Sequence, residues 1–154
     1  MDTDFDNLVL VVVGAHLRAE MNDRPVAARL RDAVEEAVWS RWPADAAVDS
    51  AALPRVVVLT DLWRLHDPNL APLPQVSVGH PDVNALSAFL ADKVPPAFVV
   101  DGEMAVQFDA AAPEAIALCW GIDHRSTARA VAEFIDRYLP AFADAVVREI
   151  RGAG

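Results

Sequence analysis

The segment Leu8-Val9-Leu10-Val11-Val12-Val13 is six aliphatic residues without a polar interruption, closed by Gly14. A strand with one face in water alternates apolar and polar residues. A strand that does not alternate has to be covered on both faces, which is the condition of a parallel sheet sandwiched by helices. The run is also far too short to cross a bilayer. It therefore commits the chain to an α/β layered architecture, and the remaining pattern agrees. Further apolar runs follow at Arg55–Thr60, Gln75–Gly79 and Ala115–Trp120, the last ended by Gly121.

Amphipathic stretches separate these runs. From Pro25 to Trp42, Val26, Leu30, Val34, Ala37, Val38 and Trp42 recur at the helical period, while Arg29, Arg31, Asp32, Glu35 and Glu36 largely take the opposite face. Asn22 or Asp23 is placed to cap this helix, with Pro25 in its first turn. A second helix is expected over 82–92, capped by Asp82. A third is expected over 126–139, capped by Ser126, with Pro140 kinking or restarting the chain into a fourth over 140–151. Pro43–Pro54 reads as a loop, and Asp61–Pro74 as a Pro-rich loop with a helical turn near Leu62–Leu65. Asp101-Gly102-Glu103 joins two apolar runs, which signals an antiparallel hairpin over 97–108. The expectation is one α/β domain over 1–154: a mostly parallel sheet with one antiparallel hairpin, flanked by helices 25–42, 82–92, 126–139 and 140–151.

Charge restricts the partners. The 154 residues carry 13 Lys plus Arg against 23 Asp plus Glu, a formal net charge of −10. Phosphate backbones and anionic membrane surfaces need a basic surface, so neither nucleic acid nor membrane is expected as a partner. The acidic start Met-Asp-Thr-Asp-Phe-Asp lacks the basic region of a secretory signal, which favours the cytoplasm. The one cysteine, Cys119, allows neither an internal disulfide nor a cysteine zinc site. Between Leu118 and Trp120 it reads as core.

In an open parallel sheet, ligands bind beyond the carboxyl ends of the strands. The segments at those ends hold His16 and Glu20, Asp61 and Trp63, His80 and Asn84, and Asp123 and His124. These eight are the candidate ligand-binding residues, with His80 or His124 as proton carrier and Asp61 or Asp123 as orienting carboxylate. Several chemistries draw on the same types. His16, His80 and His124 with Asp61 or Asp123 have the donor types of a metal site, but no recognised ligand spacing is present. Asp123-His124-x-Ser126 contains triad residue types without a nucleophile elbow, and Ser126 reads better as a helix cap. Arg18 and Arg125 could assist an anion, yet no phosphate-loop motif occurs. No cofactor signature is present. Two functions fit: a small-molecule-binding α/β domain with a His/Asp-lined crevice, or a non-catalytic homo-oligomeric interaction domain; Trp39 and Trp42 read as closing the core, with a contribution to such an oligomer contact as the alternative.

Val76-Ser77-Val78-Gly79-His80-Pro81-Asp82-Val83-Asn84-Ala85-Leu86 resembles a Gly-Gly-Pro-x-x-Asn-x-Leu segment of archaeal surface-layer-type domains, with His80 in place of the second glycine. Leu118-Cys119-Trp120-Gly121 through Thr127 and Ala128 resembles the strand-Gly-x5-Thr-x-x-Ala segment of the same family, in the same order along the chain. The resemblance covers about a third of the sequence. It implies a topology of strand, turn, helix, hairpin, strand, helix, and it implies no catalytic residue.

Overall fold

In the computed structural model the described residues are 7–43 and 53–152, so most of the loop expected over Pro43–Pro54 lies outside them. The elements run β1 (Leu8–Val13), α1 (Leu17–Asn22), α2 (Arg24–Arg41), β2 (Arg55–Thr60), α3 (Asp61–His66), β3 (Gln75–Val78), α4 (Ala85–Leu90), β4 (Pro96–Val100), β5 (Met104–Phe108), β6 (Ile116–Gly121) and α5 (His124–Glu133). A π turn, Phe134–Tyr138, then leads into α6 (Leu139–Gly152). One six-stranded sheet has the order β2-β1-β3-β6-β5-β4. The first four are mutually parallel, and β5 and β4 add the expected antiparallel hairpin at one edge. Gly102 takes φ +74° in the hairpin turn, and the Glu103 N–H donates to the Val100 carbonyl.

The unbroken aliphatic run is explained by the two faces of β1. Val9, Val11 and Val13 pack with Leu30 and Val34 of α2, Phe134 of the π turn and Phe142 of α6. Leu10 and Val12 join Leu59, Leu70, Leu86, Leu90 and Leu118 on the opposite face. All five side chains from Val9 to Val13 are fully buried, each contributing about 1.5–3 kcal/mol. Among the described residues no helix is long and apolar enough to cross a membrane.

Several local expectations are corrected. The segment after β1 is not a loop: α1 forms there, with His16 as its N-cap through Nδ1 accepting the Arg18 N–H at 3.2 Å. The helix expected over 82–92 is only Ala85–Leu90, and its cap is Asn84, not Asp82. The third helix starts at His124 because Asp123, not Ser126, caps it by accepting the Ser126 N–H at 2.8 Å. At Pro140 the expected restart is found, with α6 beginning one residue earlier, at Leu139. A proline collides with the carbonyl four residues earlier and offers no N–H. The wider turn just before it, in which the Leu139 N–H reaches back to Phe134, accommodates the ring and joins α5 to α6.

The strand order reverses between β1 and β3, because β1 sends its next strand to one side and the following one to the other. Such a reversal opens a crevice at the carboxyl ends. Asn84, 1% exposed, ties β1 to β3 beneath that end. Its Nδ2 donates to the carbonyls of Val12 (3.3 Å) and Val78 (2.8 Å), and its Oδ1 accepts the N–H groups of Leu86 (2.9 Å) and Ser87 (3.1 Å). Unsatisfied buried polar groups cost about 1–3 kcal/mol each. Asn84→Ala is therefore expected to lower stability by about 2–4 kcal/mol in urea titration. Asn84→Asp, which keeps the acceptor but removes the donor, is expected to do no better. Near-native stability of the Asp variant would show that the two carbonyl contacts contribute little.

Candidate functional site

The segments following β1, β3 and β6 enclose a cleft of about 180 Å³ at the carboxyl edge of the sheet. Arg18, Asn22 and Asp23 contribute from α1 and its junction with α2, His80, Asp82 and Val83 from the β3–α4 loop, and Gly121, Ile122, Asp123, His124 and Thr127 from the end of β6 through the first turn of α5. A glycine follows or ends each strand because the segments converge so closely. A Cβ on Gly14 would lie 1.8 Å from the Val83 carbonyl oxygen. At Gly79, φ is +120°, and a Cβ would lie 2.9 Å from Oδ2 of Asp23. The Asp23 carboxylate thus occupies the space a side chain there would fill.

Asp23 sits at the junction of α1 and α2. Its main chain is fully used: the N–H donates to Ala19 and the carbonyl accepts from Ala27. Its side chain is not, for it makes no capping bond. Only 4% exposed, the carboxylate receives no hydrogen bond from any described residue. Burial pushes its pKa up to about 6, against a smaller opposing pull from His124.

Asp123, on the same cleft, is held below the usual carboxylate range, first by the backbone N–H of Ser126 and then by the Ser126 hydroxyl. The two carboxylates are driven in opposite directions, the pattern by which proteins assign different protonation roles to one residue type. His80 accepts the Asp82 N–H at Nδ1 (2.9 Å), so its neutral form carries the proton on Nε2 and can donate. Its ring stands edge-on to Trp120 at 5.3 Å. Thr127 pins the turn from β6 into α5, its Oγ1 accepting the Gly121 N–H at 3.0 Å. Arg18 is exposed and has no ion-pair partner among the described residues.

Of the eight candidates, the fold brings His80, Asp123 and His124 together on this cleft. The other five are placed elsewhere. His16 caps α1. Glu20 forms a two-point ion pair with Arg24. Trp63 is 62% exposed on α3. Asn84 forms the bracket beneath β1 and β3. Asp61 is a second bracket: 4% exposed, it accepts the N–H groups of Ala15 (2.9 Å), Leu62 (2.8 Å) and Ala85 (2.7 Å), joining the ends of β1 and β2 to α4.

The residues that sequence reasoning did not select for this site are Asp23 and Asn22, which were assigned to helix capping, together with Arg18, considered only as an aid to anion binding. The available signal was the spacing of His16 and Glu20, which fits a helix and so implies a corner at Asn22-Asp23 before Pro25. Among the described residues no three His, Cys, Asp or Glu stand close enough to hold a metal ion. The combinations of His16, His80 and His124 with Asp61 or Asp123 are therefore not assembled. The Ser126 hydroxyl is turned to Asp123. Cys119 is fully buried, which raises its thiol pKa and leaves it protonated in the core.

The two buried aspartates predict opposite mutational signs. The value near 6 for Asp23 in the folded protein lies above the roughly 3.9 of an unfolded chain. Its favourable contribution is complete below about pH 4 and lost as pH rises through 6. Asp23→Asn should therefore be more stable than the parent at pH 8, by about 1–3 kcal/mol, with the gap closing toward pH 4. Urea titrations across that range measure this, and a less stable variant at pH 8 would mean the carboxylate has a structural partner. Asp61→Asn has one acceptor oxygen for three N–H donors and should lose about 1–3 kcal/mol at pH 8 in the same assay.

The chain matches no family model, no curated protein and no solved structure, so what bears on its function is the cleft itself.

Proposed function

We propose that this is a small-molecule-binding α/β domain whose site is the cleft where the segments following β1, β3 and β6 meet. One observation carries the reading: the buried Asp23 carboxylate has no hydrogen-bond donor among the described residues and opens onto that cleft. A carboxylate taken out of water without a donor is costly, and the α1–α2 junction uses only its main chain. An asparagine would serve the corner without that cost. A ligand that enters and donates to the carboxylate supplies the missing partner, and destabilising groups of this kind concentrate at functional sites.

The cleft, at about 180 Å³, is smaller than the roughly 300–1,000 Å³ of sites for drug-sized molecules, so the ligand is a compact molecule. Asp23 would accept from it at the base. His80 would donate from Nε2–H at the wall, and His124 and Arg18 would border the entrance. Protein-observed NMR with a library of small polar fragments tests this. Binders are expected to shift the amides of Gly79, His80 and Thr127 and to lose affinity at least about tenfold, about 1.4 kcal/mol, in Asp23→Asn. Binders that map elsewhere, or that hold equally well to both proteins, would remove the reading.

A homo-oligomeric interaction domain is a second reading, favoured by exposed apolar side chains at the same edge. Leu17 and Met21 on α1 are 71% and 69% exposed, and Leu62 and Trp63 on α3 are 50% and 62% exposed. Light scattering at high concentration should then show a dimer that Trp63→Glu with Leu17→Glu dissociates. A strict monomer would discard it.

A further inference from the structure

We infer that the cleft selects a small organic cation, an ammonium or amidinium group that donates directly to the Asp23 carboxylate. This rests on the ligand-binding reading above and names the class of ligand.

The first step is the demand made by Asp23 itself. An ionised carboxylate accepts hydrogen bonds and donates none. The residue is 4% exposed, so water reaches the carboxylate only from the cleft, and no protein donor among the described residues serves it. A neutral donor would satisfy its lone pairs but leave its charge uncompensated. A cationic donor does both, and hydrogen bonds between charged partners are about twice as strong as neutral ones.

The charges around it point the same way. Facing the cleft are Arg18 from α1, His80 and Asp82 from the β3–α4 loop, and Asp123 and His124 from the start of α5. Three carboxylates thus stand against one permanently charged base, and that base is at the solvent edge. An anion would meet like charge at the base of the cleft, and the α5 amides it would need are already engaged by Asp123. The net charge of −10 adds a field that draws cations inward.

A metal ion fits poorly. Hard cations need several oxygen ligands, and no three metal-binding side chains converge among the described residues. An organic cation needs only one carboxylate and a wall for its carbon, which Val83 and Ile122 provide.

Binding requires Asp23 ionised, so affinity should fall as pH drops through the region near 6 where burial places its titration. At pH 5 roughly a tenth of the sites would be ionised, a loss of about tenfold.

Three matched probes test the charge alone: acetamidinium, acetamide and acetate share a shape and differ in charge. Each is titrated into the full chain, and into Asp23→Asn, at pH 7.5 and pH 5, following backbone amide shifts. The spectra also report whether the variant is folded. Acetamidinium is expected to shift Gly79, His80 and Thr127 at pH 7.5, at least about tenfold tighter than acetamide, with acetate inert. The shifts should weaken about tenfold at pH 5 and vanish in the variant. If acetamide or acetate binds the cleft as well as acetamidinium does, cation selectivity is overturned while the cleft remains a binding site. If acetamidinium binds the variant equally, the role of Asp23 is overturned. If no probe moves the cleft resonances the inference falls, and the fragment library decides separately whether the ligand-binding reading falls with it.

Discussion

Everything in this structure depends on burying β1 from both sides. Val9–Val13 have no face that water could cover, so helices must pack above and below. Side chains alternate across a strand, which sends Val9, Val11 and Val13 to α2, α6 and the π turn and Leu10 and Val12 to α4 and its neighbours. A strand so enclosed needs partners on both edges as well. β2 takes one and β3 the other, and the strand order must reverse beside it. The crevice at the carboxyl end follows from the same requirement that made the strand entirely aliphatic.

At that end three buried polar side chains lie close in the fold, and their hydrogen bonds tell their roles apart. Asn84 makes four and Asp61 three, all to main-chain groups of the elements they join. Each is a fastener, and its polarity is fully consumed by the fold. Asp23, equally buried, has none for its carboxylate among the described residues. Buried polar groups in folded proteins are nearly always paired, and of these three Asp23 is the one whose polarity is left to the cleft. The same residue type therefore serves structure at position 61 and is left open for a ligand at position 23.

The sequence made the layers legible because their signals are periodic and long. The six-residue β1 run, the α2 stripe and the Asp-Gly hairpin each follow from side-chain geometry alone, and the sheet contains all three. The candidate site was legible only in outline. His80, Asp123 and His124 follow strands and meet, as the carboxyl-end rule requires. Asp61 and Asn84 follow strands too, yet the fold consumes them, and nothing in residue type distinguishes a carboxylate that will find three N–H groups from one that will find none. Asp23 carried a misleading signal, since an aspartate just before Arg-Pro has the form of a helix cap. In the structure its φ and ψ are −93° and −29°, helical rather than extended. A cap residue needs the extended conformation to turn its oxygen back onto the first turn. The preceding helix α1 imposes the helical one, and α1, at six residues, is too short for its sequence to announce itself.

That conformational detail connects the fold to the site. Because α1 runs directly into α2 through Asp23, the side chain is carried away from the helix end and over Gly79, at the end of the neighbouring strand β3. Gly79 is in turn the residue that gives way to His80 and the loop shaped by Asn84. The positive φ there and the absence of a Cβ leave a space into which the carboxylate reaches, beside the Asn84 Cβ. A side chain at position 79 would push it out toward water, where it would be solvated and ordinary. The acidity of the site is therefore set less by the residues that line it than by a missing atom in the strand beside it.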